Sequence, residues 1–326
     1  MAIKVLKPGL ATTVQDLGRP GYYHIGIPLS GGMDRHALAA ANLLVGNDEG
    51  AAVLEAVFMG PELEFTADAM VAVTGAELPP KLDGKPVEGW SSFKVEAGQK
   101  LAFDFLKKGA RAYIAVAGGI DVPLVLGSRS TYALGALGGF KGRKLEAGDE
   151  LPVGTATTPV KEGRSIVEAL RGLPVGMPTE LRVMPGLYWH RITEAAGIGF
   201  FSDTWKVAPE ADRIGYRFKG GKPLAFVPRE PPFGAGSDPS NLTDACYPYG
   251  SIQVPGGTEP IVLHRDAVSG GGYFMVGTVI SADMDLIGQL QPNMQVKFVK
   301  VDMDQALAAR KSRAHLLEKV RESLAS

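Results

Sequence analysis

Lys4-Val5-Leu6-Lys7-Pro8-Gly9, near the start of the chain, and Leu181-Arg182-Val183-Met184-Pro185-Gly186, in its middle, share one pattern: a short apolar run closed by Pro-Gly. Proline lacks an N–H and glycine admits left-handed angles, so each pair ends a strand at a turn. Farther on, Asp34-Arg35 is echoed by Asp212-Arg213, at an offset of 178 residues where Gly9 to Gly186 is 177. Each half then runs through apolar strands and a glycine pair, Gly118-Gly119 or Gly271-Gly272, and closes on a Leu-turn-strand segment, Leu145 to Val153 or Leu290 to Phe298. Two dipeptides kept at nearly one offset predict two related β-rich domains arising by duplication.

Length and composition agree with two cores. The chain has 326 residues, 45% apolar and 21% charged, and single cores usually stop growing below about 250–300 residues. Its 42 glycines and 23 prolines are spread throughout, cutting the apolar runs to strand length. The clearest predicted strands are Val53 to Phe58, Met70 to Thr74, Lys100 to Phe105, Ala112 to Ala117, Ile261 to His264, Tyr273 to Ile280 and Gln295 to Val301. Three helices are expected. The first covers Ala37 to Val45, capped by Asp34 and stopped by Gly46-Asn47, and a weaker one covers Ser165 to Arg171. The third, Asp304 to Leu324, carries a partial apolar stripe of Leu307, Ala314, Leu317, Val320 and Leu324 that can lie against the body or a partner. The expected order is an N-terminal domain over 1–155, a polar linker over 156–178, a C-terminal domain over 179–302 and a terminal helix over 303–326.

Several functions are disfavoured. A formal charge of −1 and a pI near 6.5 give no electrostatic reason to bind nucleic acid or an anionic membrane. The lone Cys246 cannot form an internal disulfide, no apolar signal segment opens the chain, and no run approaches the roughly 18 apolar residues of a membrane span. A cytoplasmic protein is expected. The basic, glycine-rich Gly138-Gly139-Phe140-Lys141-Gly142-Arg143-Lys144 lacks the spacing and the Ser/Thr of a Walker phosphate loop. The five histidines are scattered, so no metal site is expected. Neither a GxSxG elbow nor a biotinylation sequence is present.

Four polar loops remain as candidate sites. In Thr12-Thr13-Val14-Gln15-Asp16-Leu17-Gly18-Arg19-Pro20-Gly21, the carboxamide of Gln15 and carboxylate of Asp16, with Arg19, match the donors and acceptors of an amide. The competing reading is an Asp16–Arg19 pair that pins a turn. Gly31-Gly32-Met33-Asp34-Arg35 and its echo around Asp212-Arg213 read first as architecture, an aspartate at a helix start being most often a cap. Gly127-Ser128-Arg129-Ser130-Thr131 sets an arginine between hydroxyls, suited to a carboxylate or phosphate, or else forms a polar turn. The fourth runs from Phe233 through Ser237, Asp238, Ser240 and Asn241 to Gln253, and on to His264-Arg265-Asp266 and Gly271-Gly272-Tyr273. There Asp266 or His264 can serve as a general base, and a merely flexible loop is the alternative.

These loops are also where the chain resembles a known family, called allophanate hydrolase subunit 2, KipA-like or the C subunit of 5-oxoprolinase, and related to biotin-dependent carboxyltransferase domains. The resemblance rests on the Thr12-to-Gly21 loop, Ala41-Asn42-Leu43-Leu44-Val45-Gly46-Asn47, Leu54-Glu55, Thr74-Gly75-Ala76, Ala117-Gly118-Gly119-Ile120, Gly127-to-Thr131, Asp212-to-Arg217, Ile252-Gln253-Val254-Pro255 and Gly271-Gly272-Tyr273. These occur in order from about Ile3 to Val299.

The resemblance implies a mainly β structure of two tandem cyclophilin-like barrels with a few short helices and a C-terminal helix. It implies an ATP-dependent 5-oxoprolinase-like hydrolase of a small amide or lactam, working in a hetero-oligomer with a subunit-1, KipI-like partner and the A subunit of 5-oxoprolinase. ATP would be shared with the complex. The alternatives it implies are carboxyl transfer to urea or an amide from carboxybiotin carried by another chain, and a KipA-like regulatory binder. On the leading reading Asp16 or Asp266 accepts a proton, Gln15 and Asn241 hold the amide, and Arg129 or Arg213 holds an anion. Arg19, Ser130, Ser237, Gln253, Gly271, Gly272 and Tyr273 complete the candidate set, which must converge if it serves one substrate. Two departures bear on substrate: Ser269-Gly270 replace a frequent pair of threonines, and Phe274 replaces a frequent proline. Gly236-Ser237-Asp238-Pro239-Ser240-Asn241 resembles the Gly-Ser-His-Pro-Ser-Asn stretch of urea carboxylases, with Asp238 in place of histidine.

Overall fold

Short strands, some alternating in burial and others buried on both faces, build a mainly β protein. The computed structural model describes residues 1–172, 176–230 and 232–325. The chain divides into two units: Met1–Arg19, Ser30–Leu173 and Ala314–Ser326 form the first, and Pro20–Leu29 and Pro174–Arg313 the second. Of the stretch expected as a linker, residues 173–175 lie outside the described residues, as does Ser326 of the expected terminal helix.

The first unit carries two antiparallel sheets. One orders Thr13–Gln15, Val53–Val57, Lys108–Val116, Ala69–Glu77 and Ser92–Val95; the other orders Glu150–Pro152, Ala2–Lys7, Glu62–Phe65, Lys100–Phe103, Pro80–Leu82 and Lys85–Pro86. Side chains on a strand alternate between faces, and the five-stranded sheet uses both. Leu54, Val71, Val73, Ala112, Ile114 and Val116 meet Ile3, Val5, Leu63, Phe65, Leu101 and Leu151 of the other sheet in one buried cluster. Each fully buried branched or aromatic side chain there contributes roughly 1.5–3 kcal/mol.

The intervening residues, Val53, Ala72, Tyr113 and Ala115, face helix α1 (Arg35–Leu44) and its Ala37, Leu38, Ala40, Ala41 and Leu44. Small residues let the helix approach closely enough for the Thr74 hydroxyl to donate to the Ala37 carbonyl at 2.6 Å. The expected cap is present, with Asp34 Oδ1 accepting from Ala37 N at 3.0 Å. Its echo behaves differently. Asp212 Oδ1 accepts from Ile214 N and Gly215 N at 2.8 and 3.1 Å, pinning the turn between strands Trp205–Ala211 and Gly215–Lys219. Both aspartates are architectural, one at a helix and one at a hairpin.

In the second unit seven strands close a barrel in the order Thr179–Pro185, Met275–Val279, Ser251–Gln253, Ile261–Leu263, Gly215–Lys219, Trp205–Ala211 and Gln295–Lys300. Closure comes from parallel pairing of the first strand with the last, in register from Thr179 opposite Val296 to Val183 opposite Lys300. Phe298 stacks on Phe200 with centroids 4.8 Å apart and meets Phe218 edge-on at 5.4 Å. Asn241–Cys246 and Gly270–Tyr273 form a separate two-stranded ribbon.

Two helices have no counterpart among the predicted ones: α2 (Glu194–Ser202) and the single turn α3 (Met284–Ile287). Gly197 and Gly199 obscure α2. A Cβ on Gly197 would stand 2.7 Å from the Trp189 ring, so this glycine serves packing. The expected segment Ser165 to Arg171 contains only a 3-10 turn, Glu168–Leu170. The long helix α4 (Met303–Ala325) is present. In the first unit its Leu317, Val320 and Leu324 pack beside α1, whereas Leu307 of the expected stripe is 44% exposed. Arg164 joins two helix ends, its guanidinium donating to the carbonyls of Leu43 and Leu44 at 3.0 and 3.3 Å and of Leu324 at 2.7 Å. A cation there offsets the negative ends of both helices. Among the described residues no helix is long and apolar enough to cross a membrane.

Candidate functional site

The expected site residues fall into two groups, one in each unit. Gln15, Asp16, Arg19, Arg129 and Ser130 belong to the first; Arg213, Ser237, Asn241, Gln253, Asp266, Gly271, Gly272 and Tyr273 belong to the second.

In the first unit a carboxylate with about four lone-pair sites receives four donors. Asp16 Oδ1 accepts from Gly18 N at 2.8 Å, Ser128 Oγ at 2.6 Å and Ser130 Oγ at 2.5 Å, and Oδ2 accepts from Arg129 N at 2.6 Å. Its own N–H donates to Ser130 Oγ at 2.9 Å. Asp16 therefore buckles loop 16–18 to loop 128–130. Arg19, 1% exposed, donates to the carbonyls of Ser130 and Val125. The turn is pinned: Asp16 is held by the 128–130 loop, and Arg19 ties to the Ser130 and Val125 carbonyls. Gln15 is fully buried; its Nε2 donates to Thr13 Oγ1 at 2.9 Å and to the Thr131 carbonyl at 3.2 Å. The Arg129 side chain turns outward, donating to the carbonyl of Val122 and pairing with half-exposed Asp121, both within 2.9 Å.

The loop before α1 completes this cluster. Four consecutive N–H groups are taken by four acceptors: Gly31 N by Gln15 Oε1 at 3.1 Å, Gly32 N by the Asp16 carbonyl at 2.9 Å, Met33 N by Glu55 Oε2 at 2.9 Å and Asp34 N by Tyr113 Oη at 2.7 Å. Tyr113 in turn donates to Glu55 at 2.8 Å, and burial, with the nearby Glu55 charge, pushes its phenol well above the usual range. Arg111, 3% exposed, lies 3.7 Å from the other Glu55 oxygen. Sequence reasoning missed the Glu55, Arg111 and Tyr113 network. Its signal is charge inside otherwise apolar strands, Val53-Leu54-Glu55-Ala56-Val57 and Ala110-Arg111-Ala112-Tyr113-Ile114. The basic glycine-rich piece is also structural, since a Cβ on Gly138 would collide with the Ser130 carbonyl and one on Gly139 with Thr131 Oγ1.

In the second unit Arg213 and Asp266 form a two-point ion pair, and Asp266 N donates to the Arg213 carbonyl at 2.9 Å. His264 is buried with Nε2 donating to the Met284 carbonyl at 3.0 Å. Loop 238–241 is tied internally: Asp238 Oδ1 accepts from Ser240 N and Oγ at 2.8 and 2.7 Å, which holds its carboxyl below the usual range. Arg191 and Arg229 donate to the Asn241 carbonyl at 3.4 and 2.8 Å. Phe274, at the position of a frequent proline, uses its N–H to donate to the Ser240 carbonyl at 2.7 Å, a bond proline lacks. The Asn241 side-chain amide makes no hydrogen bond to a described residue, and Ser237 is exposed. Tyr247 Oη donates to the Tyr273 carbonyl and accepts from Tyr273 N, both at 2.7 Å, while buried Gln253 bonds the same phenol. Gly271 lies against the Tyr247 ring and Gly272 against the Leu242 carbonyl. Among the described residues no three His, Cys, Asp or Glu side chains gather as metal ligands would.

Known proteins share this architecture. A family model described as carboxyltransferase domain, subdomain A and B, matches residues 25–300. The chain is 36% identical over 319 residues to the C subunit of 5-oxoprolinase from Escherichia coli, covering 98% of this chain and 97% of that one. It is 34% identical over 332 residues to urea amidolyase of Lachancea kluyveri, covering 97% of this chain and 18% of that one. The crystal structure of Kluyveromyces lactis urea carboxylase superposes with a TM-score of 0.92 at 33% identity, covering 99% of this chain and 29% of that one. The chain thus spans less than a third of these two longer relatives.

Proposed function

Because the chain belongs to the family of carboxyltransferase domains, subdomains A and B, we propose that it is a subunit of a 5-oxoprolinase-like enzyme opening the C–N bond of a small lactam. The observation that carries this reading is the match to the C subunit of 5-oxoprolinase, sustained at 36% identity over 97% of that protein. The enzyme is a cytoplasmic hetero-oligomer that uses ATP, with a KipI-like subunit 1 and the A subunit of 5-oxoprolinase as partners.

Within this chain the second unit contacts the substrate. Asn241 and Gln253 hold the amide, since a carboxamide offers both a donor and an acceptor. The backbone of Gly271, Gly272 and Tyr273 forms the adjacent wall, with Ser237 at its edge. Asp266 accepts the proton, its carboxylate oriented by the Arg213 fork. Gln15, Asp16, Arg19 and Ser130 position loops in the first unit, and Arg129 lies on its surface.

The reading is tested by reconstituting the chain with these two partners. The expected result is ATP hydrolysis that depends on 5-oxoproline and yields glutamate, lost when this chain is omitted. A second reading, carboxyl transfer from carboxybiotin on another chain to urea, is favoured by the Gly236-to-Asn241 loop and by the urea carboxylase superposition. Biotin-dependent carboxylation of urea without 5-oxoproline turnover would establish it in place of the first. A KipA-like regulatory binder would show neither activity.

A further inference from the structure

Arg265 retains 5% of its surface, yet no carboxylate among the described residues lies within ion-pair distance and no described acceptor takes a hydrogen bond from it. A desolvated cation without a counter-charge is strongly unfavourable. Its chain neighbours cannot serve, because Asp266 is committed to Arg213 and His264 donates to the Met284 carbonyl. Of its three guanidinium nitrogens only Nε is sealed from solvent without a partner, so the two Nη atoms keep the little solvent contact that the side chain has. The Tyr249 ring lies 4.4 Å from the guanidinium carbon, close enough to fix the plane of the fork by cation–π attraction. The Tyr23 phenol lies within electrostatic range, on a segment tied down where Ser269 Oγ donates to the Tyr23 carbonyl at 3.2 Å. The two arginines expected to hold an anion are both engaged, Arg129 with Asp121 and Arg213 with Asp266.

We propose that Arg265, with Tyr249 and Tyr23, anchors a carboxylate in the second unit, and that the small amide or lactam acted on carries that carboxylate. The second clause rests on the function proposed above; the first stands on the geometry alone. A guanidinium fork matches a carboxylate bidentately, so the ligand supplies the missing counter-charge. Urea has no such group and 5-oxoproline does.

The test is calorimetric titration of the full chain with acetate, 5-oxoproline, the neutral lactam 2-pyrrolidinone and bicarbonate, comparing wild type with Arg265→Gln and Arg265→Lys. Acetate and 5-oxoproline are expected to bind wild type and to weaken about tenfold or more in Arg265→Gln, the scale of a lost charge-assisted pair. Arg265→Lys, which keeps charge without the fork, falls between and preserves the test should the glutamine variant misfold. Binding of 2-pyrrolidinone is expected to change less than about twofold. Arg265-dependent acetate binding with no gain for 5-oxoproline would support the anion anchor while counting against the lactam. Equal carboxylate binding by wild type and Arg265→Gln overturns the anchor whatever the substrate, as does wild type that binds bicarbonate alone or no anion.

Discussion

Arg213 grips Asp266 at two points, Nε to Oδ2 at 2.8 Å and Nη2 to Oδ1 at 3.2 Å, across 53 residues of chain. Asp266 is 6% exposed, so the pair is shielded well enough to matter. Replacing Asp266 by Asn keeps the shape and removes the charge that the Arg213 fork grips. Urea unfolding is expected to show a loss of about 1.5–3 kcal/mol, the range of hydrogen bonds to charged groups. In the reconstituted complex Asp266→Asn should abolish turnover, while Arg213→Lys, which loses only the fork, should retain a measurable fraction.

Asp16 gives a prediction of another kind. Its four donors come from two loops, and an Asn side chain can satisfy only some of them because one oxygen becomes a donor. Asp16→Asn is therefore expected to lower stability by about 1–3 kcal/mol through unsatisfied buried groups. Ser128→Ala and Ser130→Ala should be strongly non-additive with it, since all three share one carboxylate. Thermal unfolding of the single and double variants reads this directly. Additive effects would show that the loops are held elsewhere.

The pattern of what the sequence discloses tracks the range of the interactions. Asp34 is legible as a cap because its acceptor and donor are three residues apart, and Val71-Ala72-Val73 is legible as a strand because a short β-branched apolar run is a local signal. The 53-residue reach of Arg213 to Asp266 leaves no local trace, nor does parallel closure of 179–185 on 295–300. Asp212 copies Asp34 in sequence but sits in a hairpin, because a strand pattern comes after it where Asp34 leads into an alanine-rich run. Arg265 lies in one of the four polar loops legible as candidates. Its distinction is that no carboxylate among the described residues pairs with it, which only coordinates display.

The acid limb of stability should depend on Asp149. Hydrogen bonds from Arg143, Nη1 to Oδ2 and Nη2 to Oδ1 at 2.8 Å each, hold its carboxyl below the usual range; burial opposes this and the Glu146 N–H assists. A carboxyl lowered on folding adds stability that is complete above the unfolded value of roughly 3.9 and is lost as pH falls through the folded value. Arg143→Gln is expected to lower stability at neutral pH and to flatten the decline below about pH 4. Urea midpoints measured from neutral pH down to acid should show the two proteins converging. Parallel curves would remove Asp149 from the account.

Gly271 tests how rigidly the candidate wall is built. Its backbone is not left-handed, so only space forbids a side chain. An added Cβ would stand 3.0 Å from Tyr247 Cε2, and the ring must give by a few tenths of an ångström. Tyr247 cannot move freely, because its hydroxyl both donates to the Tyr273 carbonyl and accepts from the Tyr273 N–H. Gly271→Ala is therefore expected to cost about 1–2 kcal/mol, the lower end of overpacking in a well-packed site. Hydrogen exchange at the Tyr273 amide should accelerate. In the Tyr247→Phe background the ring is untethered and can yield, so the same alanine should cost less than half as much, a coupling that a double-mutant cycle measures. An unchanged penalty would place the resistance in the strand backbone, where Gly271 pairs with Ala245, and not in the tethered ring.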